Sequence, residues 1–133
     1  MKTLLLADDS VTIQRVIELT FAHEDVPPML VPDLNLCLFR IVQEALQNAL
    51  KYSNAYNVSV DLRGVSDGIA LTIVDDGVGF DVDAVWGRGL GLVSMHERVE
   101  AIGGTFEIRS SPGAGTRLEV RVPASILPDT DAV

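Results

Sequence analysis

The sequence predicts an α+β domain, a two-layer α/β sandwich in which helices cover one face of a mixed, mostly antiparallel sheet. Three observations support this: one long amphipathic helical pattern, two pairs of alternating strand patterns, and a glycine-rich stretch between the pairs. Strands that come in antiparallel pairs, with long helices on one face, are typical of this class. The chain has 133 residues, which suits one domain with a substantial core.

The helical patterns come first. After Pro32 and a capping Asp33, apolar residues recur at positions 34, 37, 38, 41, 42, 45, 46 and 49, which is the spacing of one helix face. This helix should end near Tyr52, where Ser53 and Asn54 follow. A second helix is predicted over residues 90–102 and is closed by a Gly-Gly pair.

Four segments alternate apolar and polar residues and are predicted to be strands: residues 58–62, 69–73, 106–109 and 118–122. Asp67 and Gly68 form the turn within the first pair. Such clean alternation favours antiparallel strands with one buried face. The predicted order is therefore helix, hairpin, glycine loop, helix, hairpin.

The first residues are harder to place. Apolar residues at 13, 16, 17 and 21 have helical spacing, which predicts a helix over residues 11–21, and Pro27-Pro28 breaks any element that precedes them. We divide the chain into an N-terminal segment (1–25), a main domain (26–123) and a C-terminal tail (124–133).

Charge and composition exclude several functions. The net charge of −9 makes nucleic acid and anionic membranes unfavourable partners, and an anionic ligand would need local backbone donors, cations or a metal ion. The single Cys37 excludes an internal disulfide and suits a reducing compartment. No apolar run approaches the roughly 18 residues of a membrane span. Asp8 and Asp9 interrupt the short apolar start, so no export signal is expected and a cytoplasmic location is predicted.

The first polar constellation lies on the long helix. Arg40, Glu44, Asn48 and Lys51 fall within an arc of roughly 80° beside the apolar face. An ordinary solvated helix face is one interpretation. If the stripe faces a cleft, however, the amide oxygen of Asn48 is a suitable hard ligand for Mg²⁺.

The second constellation is Asp75-Asp76-Gly77-Val78-Gly79, at the end of an apolar strand. Glycines at alternate positions let the backbone turn sharply and approach a ligand. A carboxylate here could accept a hydrogen bond from an exocyclic amine, such as that of adenine. A simple turn is the alternative.

The third is Gly87-Arg88-Gly89-Leu90-Gly91-Leu92, which opens the second helix. Backbone N–H groups at a glycine-rich helix start can bind an anion. The spacing matches neither the dinucleotide fingerprint nor the Walker P-loop. A fourth cluster, residues 111–116, reads as a hairpin turn.

Together the four motifs resemble those of the ATP-binding catalytic domain of bacterial two-component sensor histidine kinases, in the branch of nitrate-sensor and desaturase-regulating kinases of the GHKL superfamily. Residues 40–51 resemble the N-box, 75–79 the G1 box, 89–99 the G2 box, and Gly113, Gly115 and Thr116 the last glycine motif. The resemblance covers about residues 17–123 and implies the Bergerat ATP-binding fold.

The resemblance also implies residue roles. Asn48 would ligate Mg²⁺, and Asp75 would bind the adenine amine, with Thr116 supporting that side and Gly77 and Gly79 allowing close approach. Phosphates would be held by Lys51 and by the cluster Arg88, Gly89, Leu90, Gly91 and Leu92. Glu44 would orient the attacking group as a general base. Residues 80–88 would form a short ATP lid, and the reaction would be phosphoryl transfer from ATP to a histidine.

The chain departs from this family in lacking a dimerising helical hairpin with a phospho-acceptor histidine. It contains only His23 and His96, and neither lies in a convincing acceptor helix. We therefore expect this chain to bind ATP without phosphorylating itself. The histidine would come from a separate dimerisation domain, and a response regulator would be the later partner. Whether the chain is itself an enzyme, and its oligomeric state, stay open.

The start of the chain resembles something else. Residues 2–14 are similar to the first strand and helix of a response-regulator receiver domain, but the phospho-acceptor strand of that family has no match. Residues 17–26 fit either a receiver helix or the first strand of the catalytic domain. A fused or engineered chimera with its junction there is the favoured explanation. Remaining alternatives are a GHKL ATPase such as a gyrase-like enzyme, an anti-sigma serine kinase, and a chimera that keeps the fold without activity.

Overall fold

A computed structural model describes residues 2–8, 15–24 and 32–123. Six strands form one sheet, and three helices accompany it. In chain order the elements are β1 (Lys2–Asp8), β2 (Arg15–Glu24), α1 (Pro32–Lys51), β3 (Asn57–Val65), β4 (Gly68–Asp75), α2 (Val82–Val85), α3 (Leu92–Ala101), β5 (Thr105–Ser110) and β6 (Thr116–Pro123).

The sheet is mixed and mostly antiparallel, as predicted. Its strand order is β1-β2-β3-β4-β6-β5, and only β2 and β3 run parallel. The two predicted hairpins are present as β3–β4 and β5–β6. Because β6 lies between β4 and β5, the end of β4 and the start of β6 are neighbours, with Asp75 opposite Thr116.

The core lies between the sheet and the two longer helices. α1 buries Leu34, Leu38 and Ile41, and α3 buries Met95 and Val99. From the sheet, alternate residues of β3, β4 and β6 point into the same cluster: Val58, Val60, Ile69, Leu71, Ile73, Leu118, Val120 and Val122. The opposite face of these strands carries pairs such as Arg63–Asp61 and Arg121–Glu119, so the helices cover one face, as the alternation predicted.

The predicted helix over residues 11–21 is wrong where the structure describes it. Residues 15–24 form strand β2, whose backbone pairs with β1 on one side and with β3 on the other. Helical spacing of a few apolar residues did not decide the outcome, since Val16, Ile17 and Thr20 are β-branched and favour strands. The structure agrees instead with the alternative prediction, in which this segment forms the first strand of the catalytic domain.

Two further predictions fall outside the described residues: the Pro27-Pro28 break and the tail 124–133. The division at residue 25 stays a prediction. In the part of the chain that the structure covers, no helix is both long and apolar enough to cross a bilayer.

Candidate functional site

Asp75 lies at the end of β4, beside the first residue of β6. Its Oδ1 accepts a 2.9 Å hydrogen bond from the backbone N–H of Gly77. Burial raises the pKa of the Asp75 carboxyl, and the charge of Asp76 adds to this, against the hydrogen bonds from the N–H groups of Gly77 and Thr116. A half-buried carboxylate at a strand end is therefore kept in a poorly solvated place, where a hydrogen-bond donor would stabilise its charge.

Asp76, the next residue, makes different contacts from Asp75. Its Oδ1 accepts 2.8 Å hydrogen bonds from the N–H groups of Tyr56 and Asn57, and its Oδ2 accepts one of 2.7 Å from Asn57 Nδ2. Desolvation acts to raise the pKa of Asp76, but these hydrogen bonds outweigh it, and the pKa is lowered. Asp76 thus holds the turn before β3, and Asp75 is the carboxylate at the cavity.

Asn48 connects the long helix to the second glycine cluster. It is buried, and its Nδ2 donates a 2.8 Å hydrogen bond to the carbonyl of Leu90. Because the nitrogen is used in this way, the amide oxygen is the atom that remains for a cation. Two motifs that are 42 residues apart in sequence are therefore in direct contact.

A single cavity joins these groups. Asn48, Asp75, Leu92 and Thr116 all line it, along with apolar residues that include Ile73 and Met95. Helix α1, the end of β4, the start of α3 and the start of β6 each contribute one of the four. One residue from each of the four predicted motifs therefore lines this cavity.

The cavity is small in this structure. Its volume is about 20 Å³, which is room for one water, whereas ligand pockets are usually on the order of 300–1,000 Å³. Phe80, the first residue of the predicted lid, is part of its wall. A purine would not fit in a cavity of this volume unless wall residues such as Phe80 moved.

A larger crevice of about 460 Å³ lies next to this cavity. The two share Asp75, Ile108 and Thr116, but the crevice extends to Arg109 and Arg117 on the face of the sheet opposite the helices. It does not include Asn48 or any residue of the second glycine cluster. The smaller cavity is therefore the candidate site, and the crevice is an opening beside it.

Two glycines of the G1 stretch are required by close contacts. A Cβ on Gly77 would collide with the backbone oxygen of Ser53, which accepts a 2.7 Å hydrogen bond from Val78 N–H. Gly79 has a φ of +68°, and a Cβ there would meet the carbonyl oxygen of Ser111. The G1 stretch and the last glycine turn therefore pack backbone against backbone, whereas the predicted close approach was to a ligand and stays a prediction.

Ser110 was not predicted, yet it connects the lid to the site. Its Oγ accepts a 2.9 Å hydrogen bond from Phe80 N–H, donates one of 2.8 Å to the Gly115 carbonyl, and lies 2.9 Å from Thr116 Oγ1. The sequence offered only a serine ahead of a Pro-Gly turn. The partners are brought together by the sheet, so no local pattern could have identified this role.

Ser53 was also missed, because it was interpreted only as a helix stop. It is 1% exposed and lines the candidate cavity. Within the described residues, its Oγ has no hydrogen-bond partner. A polar atom of this kind can bind a water or a ligand atom in the cavity.

The glycines of the second cluster, residues 87–91, have left-handed backbone conformations, and two of them are surrounded by open space. Gly87, Gly89 and Gly91 have φ values of +83°, +89° and +71°. No neighbouring atom lies within 4 Å of a Cβ built at Gly87 or Gly89, whereas at Gly91 it would meet the Glu44 carboxylate. Gly91 begins α3 with no side-chain cap, so the first N–H groups of this ten-residue helix point toward the cluster.

Glu44 lies outside the candidate cavity. It lines a neighbouring cavity of about 110 Å³ with Gly91, Arg40 and Arg98. The structure thus places Glu44 at the α3 start, one helix turn from Asn48.

Lys51 and Arg88 line none of these cavities. Both are exposed, Lys51 as the last residue of α1 and Arg88 within the open glycine loop. Among the described residues, no cluster of three or more acidic, histidine or cysteine side chains could hold a metal ion. A metal here would therefore need oxygen ligands from a bound phosphate as well as from Asn48.

Sequence comparison identifies relatives of this chain. The family model of the histidine kinase-, DNA gyrase B- and HSP90-like ATPase matches residues 34–126. Sensor protein VraS of Staphylococcus epidermidis is 38% identical over 118 residues, which is 89% of this chain and 34% of VraS, and VraS of Staphylococcus aureus gives the same values. The chain thus spans about a third of the length of the curated relatives it matches. A match of 118 residues is longer than the part of the chain after residue 25, so it includes part of the N-terminal segment.

Solved structures show the same fold. The ATP binding domain of PrrB from Mycobacterium tuberculosis superposes with a TM-score of 0.58 at 28% identity, over 84% of this chain and 82% of that one. The histidine kinase domain of the blue-light activated kinase from Erythrobacter litoralis EL346 gives a TM-score of 0.63 at 24% identity, over 80% and 55% of the two chains, a likeness of fold. With its four motifs meeting at one site, this chain belongs to the histidine kinase-, DNA gyrase B- and HSP90-like ATPase family, as an ATP-binding domain of the two-component sensor kinase type.

Proposed function

We propose that this chain binds ATP with Mg²⁺ in the cavity between α1, the end of β4 and the start of α3, and that it donates the γ-phosphoryl group to a histidine on a separate dimerisation domain. The observation that supports this best is the 2.8 Å hydrogen bond from Asn48 to the Leu90 carbonyl, next to a cavity that Asp75 also lines. In this proposal the metal ligand Asn48, the adenine acceptor Asp75 and the start of the phosphate-binding helix at Leu92 all line one cavity.

Asp75 accepts the hydrogen bond from the adenine amine in this proposal. Its raised pKa reflects a carboxylate that is poorly solvated, and an N–H donor in the cavity would compensate for that. Thr116, hydrogen-bonded through Ser110, supports the same side of the base. Gly77 and Gly79 keep the backbone close enough for the base to lie against it.

Asn48 is the protein ligand for Mg²⁺. The Leu90 carbonyl holds its Nδ2, which orients the amide oxygen. The ion would neutralise developing charge on the phosphates during transfer. The N–H groups from Gly89 to Leu92 hold the phosphates, with Lys51 and Arg88 approaching from their exposed positions. Glu44, against Gly91, orients the attacking imidazole.

The partners follow from the reaction. A histidine-bearing dimerisation domain accepts the phosphoryl group, and a response regulator receives it next. Nucleic acid and direct membrane contact are disfavoured by the net charge of −9. A location in the cytoplasm would supply ATP and the regulator.

Base selectivity tests the assignment of Asp75. The unmodified chain should bind ATP more tightly than GTP in a calorimetric titration with Mg²⁺. Asp75→Asn should weaken ATP binding by about tenfold or more, because a hydrogen bond to a charged acceptor is worth about 1.5–3 kcal/mol. Asp67→Asn removes the same charge from an exposed turn and is the matched control. Retained preference for ATP in Asp75→Asn would contradict the assignment.

Metal dependence tests Asn48 separately. Asn48→Asp should reduce the gain in ATP affinity that Mg²⁺ provides, because the carboxylate cannot donate to the Leu90 carbonyl and loses its orientation. An unchanged Mg²⁺ dependence would remove Asn48 from the site.

Phosphoryl transfer needs the second domain. With a dimerisation hairpin from a sensor kinase added in trans, radiolabel from γ-labelled ATP should appear as acid-labile, base-stable phosphate. Acid-stable phosphoserine would favour the serine-kinase alternative, and hydrolysis without any phosphoprotein would favour a simple ATPase.

A further inference from the structure

An aromatic stack outside the candidate cavity joins the lid to the body of the domain. The Trp86 ring lies edge-to-face on the His96 imidazole, with centroids 5.8 Å apart and an interplanar angle of 72°. His96 in turn lies edge-to-face on Phe106, at 5.9 Å and 74°. The stack therefore runs from the residue after α2, through α3, to β5.

The middle ring of the stack has a further partner on its own helix. His96 Nε2 lies 2.7 Å from Glu100 Oε1, one turn further along α3. Phe106 packs against the hydrophobic core. Trp86 thus contacts a surface that is already anchored, although its own side is open: the residue is 39% exposed.

The glycine loop after Trp86 is held at both of its ends. Trp86 is fixed on α3 by the stack, and the Leu90 carbonyl is fixed on α1 by Asn48. Between the two anchors lie Gly87 and Gly89, both left-handed and both surrounded by open space. Glycines have more conformational freedom to lose than any other residue, so a loop of this kind needs anchors to keep one shape.

We propose that Trp86 and His96 are positioning residues, which hold the loop at residues 87–91 in the shape that receives the phosphates. This inference rests on the proposed function, because it assigns the phosphates to that loop. The stack touches neither the candidate cavity nor Asp75, so it acts on the polyphosphate and not on the base. Losing it leaves this end of the loop held only by backbone hydrogen bonds such as those from Trp86 N–H to the Val82 carbonyl and from Arg88 N–H to the Val85 carbonyl. Binding of the phosphates must then order the loop further.

The test compares a ligand that needs the loop with one that does not. ATP with Mg²⁺ is titrated calorimetrically, and adenosine is measured by its displacement of a fluorescent ATP analogue. Trp86→Ala and His96→Ala should each weaken ATP binding by about three- to tenfold, the range expected for one aromatic contact, and should leave adenosine binding unchanged. Trp86→Phe and His96→Phe keep an edge-to-face contact and should restore most of the ATP affinity.

Phe39→Ala is the matched control, since Phe39 is an aromatic residue of α1 that is 60% exposed and lines none of the cavities described above. It should change neither affinity. An equal loss for ATP and adenosine in Trp86→Ala would show a general structural effect and would overturn the inference, as would an unchanged ATP affinity. If adenosine and ATP both fail to bind the unmodified chain, it is the proposed function that fails.

Fluorescence tests the contact itself. Trp86 is the only tryptophan of the chain, so its emission reports this position alone. His96→Ala should shift the emission maximum to longer wavelength, because the indole becomes more exposed to water. An unchanged spectrum would show that the stack does not form in solution.

Discussion

Asp75 and Asp76 are adjacent and chemically identical, yet their pKa values move in opposite directions. The difference arises from their partners. Asp76 receives three hydrogen bonds from residues 56 and 57, whereas Asp75 is placed at a poorly solvated strand end. The resemblance predicts the adenine-binding role for Asp75, and the poorly solvated position of its carboxyl fits that prediction.

The raised pKa of Asp75 makes a prediction about stability. Its folded-state pKa lies above the unfolded value, so its contribution to stability is full below the unfolded pKa and is lost as the pH rises through the folded one. Asp75→Asn has no charge to desolvate. It should therefore gain stability relative to the unmodified chain at neutral pH, and this advantage should shrink on acidification to about pH 4, near the ordinary carboxyl pKa.

Urea unfolding at the two pH values measures this difference, with Asp67→Asn as the control for loss of an exposed charge. A relative stability of Asp75→Asn that is the same at both pH values would argue against a desolvated carboxylate at this position. A gain in stability of Asp75→Asn, together with its loss of ATP binding, would show that Asp75 serves binding and lowers the stability of the domain.

Single-residue roles could be predicted from the sequence only where a motif names them. The motif predicted Asn48 and Gly91 as site residues, and the structure places Asn48 against Leu90 and Gly91 against Glu44. Ser110 and Ser53 could not be found, because the partners of Ser110 lie up to 30 residues away in sequence and Ser53 matters through its burial. Such roles depend on tertiary contacts that no local spacing encodes.

At the scale of elements, strong periodicity was sufficient to predict helices and strands from the sequence. α1 and strands β3 to β6 each show several repeats of one period, and all were predicted within a few residues of their observed bounds. β2 was predicted as a helix because four apolar positions over eleven residues fit more than one period. Its strand conformation follows from pairing with β3, an interaction that its own sequence does not show.

Replacing two glycines by alanine tests the contact between the G1 stretch and the last glycine turn. Gly79→Ala should lower the free energy of unfolding by about 2–4 kcal/mol, because a left-handed alanine costs about 1–2 kcal/mol and its Cβ would also meet the Ser111 carbonyl.

Gly113→Ala is the control for this change, since Gly113 has a similar φ of +85° but no neighbour within 4 Å of a Cβ. Gly113→Ala should lower the free energy of unfolding only by the cost of a left-handed alanine, about 1–2 kcal/mol. Urea unfolding of both variants separates the two contributions, and equal losses would mean that the Gly79 contact does not matter.

For the whole molecule, the N-terminal hairpin extends the sheet by two strands. β1 pairs along its full length with β2, from Lys2 opposite Phe21 to Asp8 opposite Arg15. A receiver-like sequence at this point thus forms an edge of the ATPase sheet, which composition alone could not predict. The match to VraS covers 118 of the 133 residues, so it reaches residue 16 or earlier, and a junction between two families would have to lie before the predicted range 17–26.

Removal of residues 1–8 should expose the edge of β2 and promote self-association, because an unpaired strand edge is a template for pairing. Size-exclusion chromatography with light scattering over a range of concentrations measures the effect against the full chain. ATP affinity should not change, since β1 lies three strands from β4 and Asp75. A truncated chain that stays monomeric at every concentration would show that β1 does not protect this edge.

The closed wall at Phe80 has a kinetic consequence. If a purine can enter only after that side chain has swung away, a slower rearrangement precedes binding of the nucleotide. In stopped-flow mixing, the observed rate constant should then level off as the ATP concentration rises, and the plateau would measure how often the domain opens.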